Sequence, residues 1–282
     1  MSTLYLVATP IGNLDDMTLR AVQVLQSVKY IAAEDTRNVF PLLNRFSIER
    51  SKIFAYHKYN VQKITASVVE KVLKENCDMA LISDAGTPCI CDPGAELVDF
   101  ARKNGISVVS IPGACAVTVA FSMSGFLTTE WAFLGFFPKD NAGKKNFVHK
   151  FKYSGLNCFV FFESPFRVLE TIKYLIPVFP QARLFVGKEL TKFFEYSYSG
   201  TLQQVYDNLN AHTHFDKGEY VLVLQPNFIE VKEQESICLQ ALIVDQIVKG
   251  KTVKEAIADI AKQKNFSKKE LYQASLTLKK LF

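Results

Sequence analysis

The chain has 282 residues, 49% hydrophobic and 22% charged, which is enough to bury a sizeable core and excludes a wholly disordered polymer. No apolar run approaches the roughly 20 residues of a membrane-spanning helix. The opening MSTLYLVATPIGN lacks a basic segment and a cleavage signal, so it reads as the first strand of a cytoplasmic protein. The net charge of +5 is uneven: residues 249–282 hold nine lysines against Glu255, Asp259 and Glu270, or +6, which leaves −1 for the rest. A local basic excess fits a polyanion contact or a solvated lysine-rich helix face.

Apolar runs and amphipathic stretches alternate from the start. Leu4–Ala8 reads as a strand, and Thr18–Val28 as a helix with Leu19, Val22, Leu25 and Val28 at helical spacing. Strands follow at Tyr30–Ala33 and Ile53–Tyr56. The helix Val61–Lys74 carries Ile64, Val68 and Val72 on one face, and Met79–Ile82 is again a strand. Asp92 reads as an N-cap, Pro93 as a first-turn proline and Gly105 as a stop before the strand Ile106–Ile111. This alternation predicts a mostly parallel sheet covered on both faces.

A second α/β half begins beyond residues 112–125. Its strands are predicted at Trp131–Phe136, Cys158–Phe162, Leu184–Val186 and Tyr220–Leu224, with a helix over Pro165–Leu175. PKDNAGKK, between the first two strands, reads as a mobile polar loop. Phe193–Tyr198 (FFEYSY) reads as an antiparallel strand, and its Phe193, Phe194, Tyr196 and Tyr198 as base-stacking groups, a hydrophobic seam or a dimer contact. The tail is predicted as a helical hairpin, Thr252–Gln263 and Lys268–Leu281, with Ser267 as cap and Asn265 and Phe266 between. The expected domains are 1–115 and 116–230, both α/β, and a basic helical module over 231–282.

The six cysteines, Cys77, Cys89, Cys91, Cys115, Cys158 and Cys238, follow no framework spacing. Reduced thiols are expected, and no zinc or other metal site. Four strand ends, however, carry small turn-forming residues: Thr9-Pro10-Ile11-Gly12-Asn13, Ser83-Asp84-Ala85-Gly86-Thr87-Pro88, Pro112-Gly113-Ala114-Cys115 and Glu163-Ser164-Pro165. Any one is an ordinary βα turn. Four at successive strand ends predict a shared ligand cleft, because ligands of open α/β sheets bind beyond the carboxyl ends of strands. Neither G-x-G-x-x-G nor G-x-x-x-x-G-K-[ST] occurs, so a nucleotide-dependent dehydrogenase or a P-loop enzyme lacks its main support.

LYLVATPIGNLDD, AAEDTR, LISDAGTPCICDPG, VSIPGACA, GFFP, FFESPFR and GKELTK, in this order, resemble the ribosomal RNA small subunit methyltransferase I family of the tetrapyrrole methylase superfamily. The resemblance implies two α/β domains of that type with S-adenosylmethionine folded into the cleft between them, in a homodimer. It further implies methyl transfer to the ribose 2′-hydroxyl of a cytidine in the decoding region of 16S rRNA, within the small ribosomal subunit. It places the cofactor against Ser83, Asp84, Gly86, Thr87, Pro88 and Ile90, with Ala114, Cys115, Phe162, Glu163, Gly187, Lys188 and Glu189 completing the pocket. Thr9, Pro10, Gly12 and Asn13 would line the cleft near the methyl group, Asn13 as a catalytic candidate. The chain departs from the family pattern at Phe166, where His is frequent, at Lys188, where Arg is common, and at Ala114, where proline often stands.

Glu34 or Asp35 is the candidate base and Arg37 a ribose-phosphate clamp. The competing reading is a helix cap, with Asp35 or Thr36 capping and Arg37 paired to Glu34. Lys188 and Glu189 read equally as a simple ion pair. His57 reads as a hydrogen-bonded surface residue. Lys144 and Lys145, with Lys251, Lys268 and Lys269, form the expected RNA footprint. The rival functions are a tetrapyrrole or corrinoid methylase, which would not need the basic tail, and a non-catalytic RNA-binding protein.

Overall fold

The computed structural model describes residues 2–226, 239–263 and 267–278. The chain gathers into two compact units, residues 1–228 and 229–282. The first unit holds two lobes, each built on its own five-stranded sheet.

The amino-terminal lobe runs β1 (Thr3–Val7), α1 (Leu19–Ser27), β2 (Tyr30–Ala33), α2 (Phe40–Arg45), β3 (Ile53–Ala55), α3 (Val61–Lys74), β4 (Met79–Ile82), α4 (Ala95–Lys103) and β5 (Ser107–Ile111). All pairings are parallel, in the order β3-β2-β4-β1-β5. β4 is buried at all four positions, which is why Met-Ala-Leu-Ile shows no alternation and why it sits at the centre. Leu25 of α1 and Leu42 and Leu43 of α2 cover one face, and Val69 and Val72 of α3 with Leu97 of α4 cover the other. Each such fully buried aliphatic side chain contributes about 2 kcal/mol.

The predicted start of α4 needs correction. Asp92 does not cap it, and Pro93 is not in its first turn. Gly94 occupies the cap, with φ +146°, and a Cβ there would stand 2.5 Å from Leu81 Cδ2 and 2.7 Å from Cys89 Sγ. Only glycine fits, so the helix begins two residues later, at Ala95, and the Asp92 carboxylate is left for the cleft.

The second lobe comprises α5 (Ala116–Ser124), β6 (Ala132–Phe136), α6 (Asn141–Tyr153), β7 (Phe159–Glu163), α7 (Val168–Leu175), β8 (Arg183–Lys188), β9 (Tyr196–Thr201), α8 (Leu202–Ala211) and β10 (Tyr220–Gln225). Its order is β6-β7-β10-β8-β9, and only the β6–β7 pair is parallel. The stretch PKDNAGKK is not a mobile loop. Asp140 Oδ1 accepts the Gly143 amide at 2.7 Å and caps α6, while Phe147 and Phe151 pull that helix into an aromatic core with Phe137, Phe159 and Phe161. FFEYSY divides. Tyr196 and Tyr198 enter β9, pair antiparallel with β8 and pack on the core, whereas Phe193 and Phe194 precede the strand in solvent.

The second unit contains three helices among its described residues, α9 (Leu239–Val248), α10 (Val253–Gln263) and α11 (Lys268–Leu278), around Ile243, Ile260, Leu271 and Ala274. The hairpin is therefore a three-helix packing. Reciprocal capping boxes start two of its helices, Thr252 with Glu255 and Ser267 with Glu270. Asn265, Phe266 and Leu281 lie outside the described residues. Among the described residues no helix is long and apolar enough to cross a membrane.

Candidate active site

The turns at the carboxyl ends of β1, β4 and β5 are laced together. Thr9 and Gly86 exchange both backbone hydrogen bonds, at 2.9 and 3.0 Å. The Thr9 hydroxyl donates to the Ser83 carbonyl at 3.1 Å, and the Ser83 hydroxyl to the Gly86 carbonyl at 2.9 Å. Thr87 Oγ1 donates to the Ala114 carbonyl at 3.1 Å, tying the β4 turn to the β5 turn. Gly86 holds φ +82°, a conformation other residues adopt only under strain. The small residues after Ile82 thus build a hydrogen-bonded rim in which Ser83 and Gly86 are buried.

The second lobe supplies the opposite wall through the turn after β8. Glu189 and Thr191 both have positive φ, and the Asn13 amide donates to Thr191 Oγ1 at 3.1 Å. A Cβ on Gly12 would lie 2.3 Å from Lys192 Cγ and 2.9 Å from the Leu190 carbonyl. Glycine at this position lets the two lobes meet.

Two adjoining chambers result. The first, of about 300 Å³, is lined by Ile11, Ala85, Gly86, Thr87, Ile90, Cys91, Asp92, Cys115, Val117, Phe136, Phe162, Glu163, Leu190, Gly218, Glu219 and Tyr220, and is largely apolar. The second, of about 340 Å³, is lined by Thr9, Pro10, Ile11, Gly12, Leu14, Asn38, Val39, Pro41, Leu42, Ser83, Asp84, Ala85, Lys192 and Glu219, and is the more polar of the two. Ile11, Ala85 and Glu219 belong to both.

The expected site residues separate accordingly. Gly86, Thr87, Ile90, Cys115, Phe162 and Glu163 face the apolar chamber, and Thr9, Pro10, Gly12, Ser83 and Asp84 the polar one. Pro88, Ala114, Gly187, Lys188, Glu189 and Asn13 line neither. Gly187 makes room for Leu190. Lys188, whose pKa burial pushes down, donates to the His214 carbonyl at 2.5 Å. Glu163 lines the chamber but its carboxylate is fully buried, taking the Ser164 amide and the Thr171 hydroxyl at 2.6 Å each and Arg167 at 2.5 Å.

Glu34, Asp35 and Arg37 also line neither chamber. Arg37 pairs with Asp35, not with Glu34, at 2.6 Å, and Asp35 accepts the Arg37 amide at 2.9 Å. The side chain of Arg37, then its amide, hold the Asp35 carboxyl down to about 2, so Asp35 is a weak base. Neither Asp35 nor Thr36 caps α2, whose cap position is Val39. Asp35 instead acts behind the wall: its amide donates to Asp84 Oδ1 at 3.0 Å while Asn38 Nδ2 donates to Asp84 Oδ2 at 2.7 Å. Glu34 is pushed up, first by burial and then by the neighbouring Asp92 and Asp84. Burial also pushes up Asp92 and the Cys91 thiol, and lifts Cys89 to about 11, so neither thiol supplies a thiolate near neutral pH.

Lys192 was not singled out from sequence. Its ammonium lies 2.9 Å from Glu189 and 3.0 Å from Glu219, and it is the cation in the wall of the polar chamber. Burial opposes its charge, but the two carboxylates outweigh burial and raise its pKa. It is the last residue of GKELTK, and only the fold brings it to Gly12. Of the expected RNA footprint, Lys144 is 8% exposed, with its ammonium on Glu170 at 2.9 Å and over the Tyr174 ring. Lys145, Lys268 and Lys269 are exposed, and Lys251 pairs with Asp259 at 2.9 Å.

The fold and its cleft define a class. Residues 3–206 match the family described as Tetrapyrrole (Corrin/Porphyrin) Methylases. A crystal structure of diphthine synthase superposes with a TM-score of 0.62 at 11% identity, covering 80% of this chain and 90% of that one. The uroporphyrin-III-C-methyltransferase of Thermus thermophilus gives 0.54 at 18% identity, covering 79% and 94%. These two show the fold. Among curated relatives, a ribosomal RNA small subunit methyltransferase I of Synechocystis is 38% identical over 99% of both chains. Those of Bacillus subtilis and Halalkalibacterium halodurans are 37% and 36% identical, over 97% and 96% of this chain and 94% and 93% of their own. The chain belongs to the ribosomal RNA small subunit methyltransferase I family.

Proposed function

We propose that this protein is a cytoplasmic, S-adenosylmethionine-dependent methyltransferase of the small ribosomal subunit that methylates the ribose 2′-hydroxyl of a cytidine in 16S rRNA, working as a homodimer. The observation that carries the reading is the pair of adjoining chambers, one apolar and walled by bent main chain, the other polar and holding a cation. The hydroxyl, the cytidine and the decoding region rest on the family resemblance.

The apolar chamber fits the donor chemically. Ile11, Val117, Phe162 and Leu190 offer walls for a flat base, and Gly86, without a side chain, adds no Cβ against Ile11. Asp92, half-buried there, suits a ribose diol or a positively charged group. When bound, the cofactor supplies an electrophilic methyl group on a sulfonium, so the protein's task is chiefly alignment. In the polar chamber, Lys192 would donate to the oxygen of the acceptor hydroxyl. Asp84, whose two oxygens are oriented by Asp35 and Asn38, would take its proton. Asp35 and Asn38 then support the base.

Tritium transfer from labelled S-adenosylmethionine tests the reading, with purified small subunits, free ribosomal RNA and a corrin precursor offered side by side. Label is expected on RNA ribose in the assembled subunit. Label confined to the macrocycle, or to no acceptor, overturns it. A second expectation concerns the floor. Gly86→Ala places a Cβ 3.2 Å from Ile11 Cγ2 at φ +82°. That strain, of about 1–2 kcal/mol, loosens the bridge to Thr9. Calorimetry should show donor affinity reduced about tenfold, with the sheet intact by circular dichroism.

A further inference from the structure

Phe193 and Phe194 are 92% and 76% exposed, which sets them apart from the other aromatics of FFEYSY. Tyr196 and Tyr198, partly buried, pack against the second sheet, and Tyr196 bonds Asn208. The seam explains those two and not the phenylalanines. The phenylalanine rings stand edge to face, centroids 4.9 Å apart at 89°, which covers one ring face and leaves the others in solvent. They directly follow Lys192, which lines the polar chamber, and Thr191, which anchors the Asn13 loop. The pair therefore lies one and two residues along the chain from a residue in the wall of the acceptor chamber.

We infer that Phe193 and Phe194 are a stacking platform for unpaired bases of the RNA strand flanking the methylated nucleotide. The inference rests on the function proposed above. A flat base fits an open ring face, and stacking on phenylalanine needs no matched hydrogen bond. A second copy of the chain fits less well. Two phenylalanines offer about 300–500 Å², short of the roughly 800 Å² per partner of a stable interface. The neighbours on either side, Lys192 and Glu195, are polar and engaged, with Glu189 and Glu219 and with the Thr191 amide.

The test compares wild type, F193A/F194A, F193L/F194L and F193W/F194W. Tritium transfer is measured against small-subunit concentration, donor affinity by calorimetry and mass by sedimentation. The alanine pair should raise the KM for subunits about ten- to a hundredfold. The leucine pair should stay impaired and the tryptophan pair should restore the wild-type value. Donor affinity and mass should not change. An unchanged KM in the alanine pair, rescue by leucine, or a change in mass overturns the inference, the last by assigning the rings to a second copy. Wild type that labels no RNA overturns the proposed function and this inference with it. Wild type that labels RNA beside an unaffected alanine pair overturns this inference alone.

Discussion

Glu163→Ala is expected to lower the apparent Tm by about 10 °C while leaving donor affinity within about threefold of wild type. The Glu163 carboxylate is fully buried, and three donors converge on it from Ser164, Thr171 and Arg167. Removing it strands the guanidinium of Arg167, whose Nε already lacks a partner and whose remaining contact is the Phe137 carbonyl at 3.1 Å. Breaking a buried pair from one side costs about 3 kcal/mol or more, which for a unit of this size is about 10 °C. Burial pushes the Glu163 pKa above the ordinary 4.5, against the pull of its donors. The native chain then keeps this proton at pH values where the unfolded chain has released it. The stability it contributes is full below about 4.5 and is lost as pH rises through the native value. Glu163→Gln cannot titrate, so its melting temperature should fall less with pH above 4.5 than that of wild type. Thermal melts of the three proteins between pH 4 and 8 measure both effects. Loss of donor binding without loss of stability in Glu163→Ala would return the carboxylate to the cofactor.

The FFESPFR stretch shows how far sequence reading reaches. It marks a special turn, and it cannot say that Glu163 faces inward and braces Arg167. The same division runs through the fold. Tyr30–Ala33, Val61–Lys74 and Met79–Ile82 match the expected bounds, because an unbroken buried run and a strict helical stripe are local signals. The insertion of β10 between β7 and β8 is not local, and alternation alone gives no pairing direction for the second lobe, where most pairs are antiparallel. Helix α9 escaped because LQALIVDQIV is apolar on nearly every face and shows no stripe. PKDNAGKK looked like a loop because its capping Asp140 was read as one more polar residue.

The cleft was legible as a set of turns and not as a set of side chains. Glycines and hydroxyls at strand ends announced the rim. Gly94 displaced the expected cap by geometry that appears only when Leu81 and Cys89 are in place. Asp84 drew attention as one residue of a motif, while the groups that aim it, Asp35 and Asn38, lie nearly fifty positions away. Lys192 is the extreme case, since the contact that places it beside the first-lobe loop joins residues 178 apart.

Lys192→Met is accordingly expected to reduce kcat by a hundredfold or more, with donor affinity unchanged. Glu189 and Glu219 fix the ammonium from two sides, and the absent Cβ of Gly12 gives its stem room. With the carboxylates outweighing burial, its pKa lies above the ordinary 10.5, so the group is charged at any practical assay pH. In the proposed reaction a fixed cation beside the acceptor hydroxyl would stabilise oxygen as it loses its proton, and removal of one such preorganised donor costs about 10²–10³ in rate. The ion pairs themselves are partly solvated, Glu219 most of all, so the melting temperature should move by no more than a few degrees. Lys192→Arg keeps the charge but replaces a slender ammonium with a planar fork in a space closed by the Leu190 carbonyl, and should recover part of the rate. Single-turnover methyl transfer at saturating donor and subunit separates this from weaker binding. An unaltered single-turnover rate in Lys192→Met would remove the cation from the chemistry and leave it as a strut between the lobes.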